Sequence, residues 1–457
     1  MKLDDLDPGL NANPALRADP LADATIARIF GPGQPGGPDV ATIDLLNGEI
    51  ARWQLNGDLD GWRASPGLPP EMAAALEDYV EQARVLPDWA DPAAIGRAEA
   101  LFMDMSMASC TLLFCASLPQ CYVIPDLADV LHAAGQLERH TDYRVRATAA
   151  MIFPVMMRGG LTTLGGGGVA QAIKVRLIHA TIRYLVLRGD VADALVPPRR
   201  LPRLAAPAQG GTMVQALYAL GWDIDSRGLP CNQEELAYTL LTFNYVFLHG
   251  LRRLGLGAKH RDEEAYIHTW NVLGHVLGIE RGLMSETMAD AATRFAAIQA
   301  AARTQPCQPD PRPVLAGALV AAMQHYIPPR LLKPFPVLLT RRLVGKDASR
   351  DLGLDGRVSL LSRLVFVLGF ALVRTIDACG RLVFPGFSIS RLITRILGYN
   401  LTVRMLMDQT RPLKLPDALL GEIGEAVDTW QNDDRAPRWM NALERRFTGR
   451  ARAARQG

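Results

Sequence analysis

Residues 169–187 form the segment that most constrains how this chain can fold. Its apolar residues fall on every side of a helical wheel, which is typical of a helix buried in a protein interior. Arg176, His179 and Arg183 interrupt it at spacings of three and four residues, so they share one helix face. The segment therefore predicts a buried helix carrying one histidine between two cations.

Two guanidinium groups inside a protein are costly unless anionic groups meet them. A haem would satisfy both observations, because its iron accepts a neutral imidazole and its two propionates accept two cations. The same spacing also suits a structural core histidine whose neighbouring arginines snorkel or pair with carboxylates of other helices. Residue spacing alone leaves both interpretations open.

Three separated segments resemble the latex-clearing proteins (rubber oxygenases) and the wider MpaB-type oxygenase family. Residues 174–183 resemble the helix that supplies the proximal haem ligand in that family. The other two segments are similar to its distal-pocket segment and to its acidic–Tyr–Trp–Gly–Gly helix. These comprise Gly135-Gln136-Leu137 with Arg144-Val145-Arg146-Ala147-Thr148, and residues 264–279 with Glu264, Tyr266, Trp270, Gly274 and Gly278. The resemblance spans roughly residues 95 to 290.

The resemblance implies a distal pocket in which Arg144 and Thr148 orient bound oxygen. The two residues are one helical turn apart, so both can face one cavity. Some family members place a lysine immediately before that threonine, whereas this chain has Ala147. A distal carboxylate is also implied, and Glu138 and Asp129 are both candidates. Arg341 or Arg342 is a candidate for a further propionate partner.

The family chemistry predicts a b-type haem, with iron held by His179 and propionates held by Arg176 and Arg183. With dioxygen it would cleave carbon–carbon double bonds of an isoprenoid or another unsaturated apolar substrate. The cofactor supplies the difficult chemistry in such enzymes. The competing hypothesis is a non-catalytic helical protein that binds haem or a lipid, and the missing lysine is compatible with it.

Charge and composition argue against some classes of binding partner. The 457 residues carry a formal net charge of only +2, and their basic residues are scattered, so we expect no nucleic-acid partner. The N-terminus has neither a twin-arginine motif nor an apolar signal segment, which predicts a cytoplasmic protein unless a signal was removed. The six cysteines match neither zinc nor ferredoxin spacing and are predicted to be buried free thiols.

The pattern along the chain predicts an all-α fold with a globin-like haem-binding core. Residues 1–68 read as an irregular, extended N-terminal arm, 69–434 as a single helical domain and 435–457 as a polar tail. Residues 101–118 and 364–373 read as core helices rather than membrane spans. A peripheral membrane contact stays open, since an apolar substrate must be collected somewhere. The glycine run 165–168 is predicted to be a flexible connector.

Local motifs add three further predictions. Pro70 in a first turn, and Asn232 followed three residues later by Glu235, predict two helix starts. The stripe of Trp270, Gly274 and Gly278 predicts a smooth helix face that supports helix packing. Four histidines lack the flanking cations of His179 and are predicted to be structural: His249, His260, His268 and His275.

Overall fold

The structure is a computed structural model that describes residues 13–383, except 34–36, 38, 135–140, 206–211, 306–307, 326 and 328–329. The predicted all-α fold is confirmed. The helices are α1 Pro20–Phe30, α2 Val40–Ile50, α3 Pro70–Ala83, α4 Pro92–Asp104, α5 Ser106–Leu112, α6 Leu118–Cys121, α7 Pro125–Ala133, α8 Thr141–Met156, α9 Gly168–Leu187, α10 Val191–Ala194, α11 Met213–Ala219, α12 Ile224–Arg227, α13 Gln233–Phe243, α14 Tyr245–Leu254, α15 His260–Val276, α16 Met288–Ala302, α17 Arg312–His325, α18 Phe335–Val344, α19 Lys346–Asp351 and α20 Leu360–Val383.

Other regular structure in the described residues is short. Single 3-10 turns lie at Pro14–Leu16, Asn56–Leu59 and Arg281–Leu283, and a π-helical turn, Leu113–Ser117, joins α5 to α6. Strands β1 (Arg200–Leu201) and β2 (Trp222–Asp223) pair antiparallel, with Leu201 opposite Trp222. Two strands of two residues each do not change the fold class.

The core is built around α9 and α15. Helix α15 packs along α4, and α9 packs between α8 and α1. Stacked aromatic rings fill the space beside α15: Phe247 lies 4.7 Å from Tyr266, and Phe243 lies 5.5 Å from Trp270, between ring centroids. Trp270 therefore supports the helix packing, as the sequence predicted for this stripe.

The N-terminal segment is not the irregular arm that we expected. Helices α1 and α2 occupy residues 20–30 and 40–50, and α1 buries Ala22 and Ile26 against α3 and α9. The side chain of Asp19 accepts a hydrogen bond from the Ala22 amide, and Pro20 occupies the first turn, which together start α1. The prediction failed because the surrounding Pro and Gly residues were taken to exclude helix.

Two other helix starts are confirmed. Pro70 begins α3, and the Asn232 side chain caps α13 by accepting a hydrogen bond from the Glu235 amide over 2.9 Å. An Asn cap satisfies an amide that has no partner within the helix.

The glycine run is a tightly packed turn, so the predicted flexible connector is wrong. A Cβ atom on Gly168 would lie 2.7 Å from the Gly160 carbonyl oxygen, and one on Gly166 would overlap the Gly159 carbonyl. The Gly168 amide donates to the Gly160 carbonyl over 2.8 Å. The glycines thus allow two backbone segments to touch directly ahead of α9.

The two predicted core helices have different outcomes. Residues 101–118 are largely buried, as expected. Residues 364–373 lie in α20, and most of their apolar side chains are exposed, so that prediction is wrong. Apolar content alone does not show which face of a helix meets the core.

No single helix in the described part of the chain is long and apolar enough to cross a bilayer. The segments Pro92–Asp104 and Ala108–Cys121 qualify only as a pair, and they are bent by 85°.

Four of the six thiols fit the prediction. Cys110, Cys115, Cys121 and Cys231 are buried thiols, whereas Cys379 on α20 is exposed, which corrects the prediction for that residue. Cys307 lies outside the described residues.

Candidate functional site

His179 lies near the middle of α9 at the edge of the helix face that is least covered. Most of α9 is buried, but His179, Val175 and Ile182 are only partly covered, and Ile178 is 42% exposed. The imidazole therefore borders an apolar surface that is accessible along one side of an otherwise internal helix.

Arg176 lies one turn before His179 and is held by the carboxylate of Asp19, the residue that caps α1. Its Nε and Nη2 atoms donate to the two carboxylate oxygens of Asp19 over 2.5 and 2.7 Å, and Nη1 reaches the Val276 carbonyl over 3.3 Å. A bidentate arrangement of this kind is a strong, directional ion pair.

Arg183, one turn after His179, is fully buried. It forms an ion pair with Asp23 of α1, and it donates to the carbonyl oxygens of Pro230 over 3.0 Å and Cys231 over 2.6 Å. Burial raises the pKa of Asp23 to about 6 despite the opposing charge of Arg183.

These contacts correct one step of the sequence argument. Arg176 and Arg183 were taken to need anions from a bound group, but Asp19 and Asp23 of the same chain already meet them. The alternative that paired the arginines with carboxylates of another helix is what the structure contains. Assignment of either arginine to a propionate therefore stays a prediction. It is no longer supported by the argument that these buried arginines lack anionic partners within the chain.

Helix α8, which packs against α9, carries the predicted distal residues. Arg144 and Thr148 both lie on it, one turn apart as expected, and Thr148 is partly exposed. The side chain of Arg144 is outside the described part of the structure. Of the two candidate carboxylates, Glu138 is also outside it, and Asp129 accepts a hydrogen bond from Arg227 over 3.0 Å.

The candidate partners from the far half of the chain have local contacts of their own. Arg341 donates to the carbonyl oxygens of Leu354 and Gly356, and the Arg342 guanidinium lies 4.0 Å from the centroid of the Phe370 ring. Their suggested contact with a propionate remains a prediction.

The other histidines that we singled out have structural surroundings. His268 accepts a hydrogen bond from the Asp91 amide over 2.9 Å, and His275 packs edge-on against Trp89. His249 stacks on Tyr245, and His260 lies 3.2 Å from the Glu264 carboxylate. Within the described residues, no cluster of three or more His, Cys, Asp or Glu side chains could hold a metal ion.

Sequence reasoning missed the residues that position α9. The Asn56 side chain accepts hydrogen bonds from the Val169 and Ala170 amides and donates to the Gly160 and Thr163 carbonyls, so it caps α9 from 113 residues away. An Asn before a short turn gives no local signal of this role.

Gly278 is a second such residue. It lies beyond the end of α15 rather than on the smooth helix face that we expected, and its φ angle is +80°. A Cβ atom there would overlap the Asp19 carboxylate and lie 2.7 Å from Nε of Arg176. A glycine is therefore required where α15 ends against this ion pair.

A second cluster of charges lies at the first turns of α7 and α13. A cavity of about 260 Å³ is lined by Asp126, Arg227 and Glu235, among other residues. Arg227 donates to Asp126 over 2.5 Å, whereas one carboxylate oxygen of Glu235 makes no hydrogen bond within the described residues. Burial, reinforced by Asp126, raises the pKa of Glu235 to about 8.

Comparisons with known proteins extend this picture. Residues 102–376 match the sequence model of the family described as "ER-bound oxygenase mpaB/B'/Rubber oxygenase, catalytic domain". The chain is 23% identical over 276 residues to a rubber oxygenase of Streptomyces sp. (strain K30), an alignment that covers 59% of this chain and 55% of the relative. The match thus spans about half of that relative's length.

A solved structure shares the fold. The chain superimposes on latex clearing protein LCP in its closed state with a TM-score of 0.58 and 18% sequence identity, covering 92% of this chain and 91% of the other. Because the family match extends over more than half of the sequence, this chain belongs to the mpaB/rubber oxygenase catalytic-domain family.

Proposed function

We propose that this protein is a haem-dependent oxygenase that cleaves carbon–carbon double bonds of an isoprenoid or another unsaturated apolar compound with dioxygen. The observation that carries the proposal is the position of His179. It is a partly covered imidazole at the edge of an accessible apolar helix surface, and it lies within the family-matched segment.

The residues around His179 suit a b-type haem in two respects. A b-type haem needs a ligand for its iron, which the His179 imidazole would provide, and an apolar wall, which Val175, Ile178 and Ile182 would provide. When bound, such a group supplies dioxygen activation, which amino-acid side chains do not perform. Arg176 and Arg183 are less suited to bind propionates, since they are engaged by Asp19 and Asp23.

In this proposal the two arginines act on His179 through α9. Ion pairs on both sides of the histidine fix the helix against α1, and the Asn56 cap fixes its N-terminal end. A ligand on a rigid helix is held more precisely than one on a loop. Thr148 lies on α8, which packs against α9, and would offer a hydroxyl for hydrogen bonding.

The proposed substrate is apolar and unsaturated. Cleavage of one double bond by one dioxygen molecule places one oxygen atom on each carbon, giving two carbonyl products, a ketone and an aldehyde for a trisubstituted isoprenoid bond. No further reductant is needed to balance this reaction.

Oxygen consumption tests the proposal. Purified protein reconstituted with haem is given squalene or a shorter isoprenoid, and carbonyl products are trapped and identified by mass spectrometry. We expect oxygen uptake with matching carbonyl products, reduced to background in His179→Ala. His275→Ala is the matched control and should retain activity, because that ring is exposed and packs edge-on against Trp89.

Haem binding without oxygen uptake on any isoprenoid would instead favour the non-catalytic binding protein. Uptake that His179→Ala leaves unchanged would refute the role of this residue.

A further inference from the structure

Helix α20 presents its most apolar face outward. Leucine and valine side chains recur along it at spacings of three and four residues, so they share one face. Each is more than half exposed, from 52% for Val367 to 82% for Leu360. The remaining members of this outer face are Leu361, Leu364, Leu368 and Leu372.

The opposite face of α20 meets the protein. Ser362 and Asp377 are buried there, and Phe366 packs edge-on against Phe335 of α18 with 5.4 Å between ring centroids. The helix thus contacts the protein through the Phe366 ring and two buried polar side chains, and its leucines point outward. This is the reverse of the pattern of an ordinary surface helix.

One edge of the outer face is lined with cations. Arg363 and Arg374 are exposed on α20, and Arg342 of α18 is exposed with its guanidinium over Phe370, which lies on the same side of the helix. Arg374 is anchored by a 3.1 Å hydrogen bond from Nη1 to the Arg253 carbonyl. Burial first, and then the charges of Arg374 and Arg253, lower the pKa of Arg342, which indicates that these cations repel one another.

The charges of this edge are of one sign. The exposed residues described on α20 include Arg363 and Arg374 but no carboxylate, since the one acid in this part of the helix, Asp377, is buried. A row of leucines beside clustered arginines is the composition of helices that lie in the plane of an anionic membrane surface.

From this geometry we infer that the outer face of α20 docks on an anionic phospholipid bilayer, with its leucines in the acyl boundary and Arg342, Arg363 and Arg374 against the headgroups. A second copy of the chain fits this face less well. It would bring the same arginines together and offer no carboxylate from α20 to meet them.

Vesicle co-sedimentation of the full chain tests the inference. The probes are vesicles of phosphatidylcholine containing about one third phosphatidylserine, and vesicles of phosphatidylcholine alone. We expect binding to the anionic vesicles, weakened about fivefold for each arginine replaced in Arg363→Gln and Arg342→Gln, since one such residue contributes about a fivefold change. Binding should also weaken as salt is raised.

The apolar contribution is tested with Leu364→Asp combined with Leu368→Asp. This variant should lose at least about tenfold in vesicle binding, because two leucines no longer enter the lipid. The matched control is Val85→Asp with Leu164→Asp, which alters two equally exposed apolar residues elsewhere and should bind as the parent does. Circular dichroism and thermal unfolding verify that each variant is folded.

Several results would overturn the inference. These are no vesicle binding by the parent, equal binding to vesicles of both compositions, or equal loss in the control variant. A dimer in sedimentation velocity that Leu364→Asp with Leu368→Asp dissociates would assign the face to a second copy instead.

Discussion

Arg183 ties α9 to α1 and to the backbone ahead of α13. Its guanidinium is fully buried and is met by one carboxylate, Asp23, and two carbonyl oxygens. The raised pKa of Asp23 shows that the attraction of Arg183 does not fully offset the cost of burying the acid. The intact pair therefore adds little net stability. Removal of one partner would nevertheless destabilise the protein strongly, because it leaves a buried charge without its counter-charge.

Asp23→Asn should destabilise the protein strongly. We expect a loss of about 3–5 kcal/mol in the free energy of unfolding, because a buried guanidinium is left without its counter-charge. Urea unfolding followed by circular dichroism measures it. Asp225→Asn is the control: it breaks the exposed pair with Arg199, and should cost no more than about 1 kcal/mol. Similar losses in both variants would contradict this account.

Gly278→Ala tests the close approach of the end of α15 to the Asp19–Arg176 pair. The alanine must adopt a φ near +80° and its Cβ would overlap the ion pair. Gly345→Ala is the matched control, because it imposes a φ of +92° with open space around the Cβ. We expect backbone strain to lower the free energy of unfolding by about 1–2 kcal/mol in the control, and by clearly more in Gly278→Ala. Equal thermal destabilisation would show that the overlap is relieved easily.

For single residues, the sequence predicted which ones lie on α9 but not what they contact. The prediction that Arg176, His179 and Arg183 share one face of the helix is correct, because helical periodicity is local. Asp19 and Asp23 lie 157 and 160 residues from their partners, and nothing in the local pattern indicates such a pairing. The hypothesis of external anions arose from that missing information.

Among the elements, α9 depends on a cap that comes from outside its own segment. Gly167 at its N-cap has no side chain to accept the first amides, and Asn56 provides the acceptor instead. The glycines before α9 allow the turn to pack closely enough for this contact.

Asn56→Ala should therefore destabilise α9 in particular. We expect about 1–2 kcal/mol of lost stability, the usual cost of removing a helix cap, with the further loss of two bonds to carbonyl groups. Hydrogen exchange followed by mass spectrometry should show that the substitution accelerates exchange in the first turns of α9 more than in α15. Unchanged exchange at the start of α9 would contradict the capping role.

Element by element, the predictions succeeded where a local rule applies. The capping residue Asn232 and the proline start of α3 were correct, because both act within one turn. Helix α1 lies in the segment that was predicted to be irregular. Residues 364–373 were correctly predicted to be helical but wrongly placed in the core, because only tertiary packing determines the direction of the apolar face of α20.

For the whole molecule, the buried acid Glu235 makes stability depend on pH. Its pKa in the folded protein, about 8, lies above the ordinary value of 4.5. Between these values the folded state holds a proton that the unfolded state releases, so this contribution is complete below about pH 4.5 and is lost as the pH rises towards 8.

Glu235→Gln should remove that dependence. Above about pH 6.5, where Asp23 is already ionised, the stability of the parent should fall relative to the variant by up to about 1.4 kcal/mol per pH unit until pH 8. Urea unfolding at a series of pH values gives both curves. Parallel curves for the parent and the variant would show that Glu235 is not protonated in the folded protein.

The fold class and the family were predictable from the sequence, since long helical periodicity and three ordered motifs lie within single segments. The arrangement that we propose for the functional site, His179 between two internally paired arginines, was predictable only in part, because each pairing joins distant parts of the chain.

Haem ligation by His179, as proposed, can be read from the absorption spectrum of the purified protein titrated with haemin. We expect a Soret band that saturates at one haem per chain, and that is lost or strongly shifted in His179→Ala while His275→Ala retains it. A folded protein that shows no Soret band, or an unchanged band in His179→Ala, would refute haem ligation by His179.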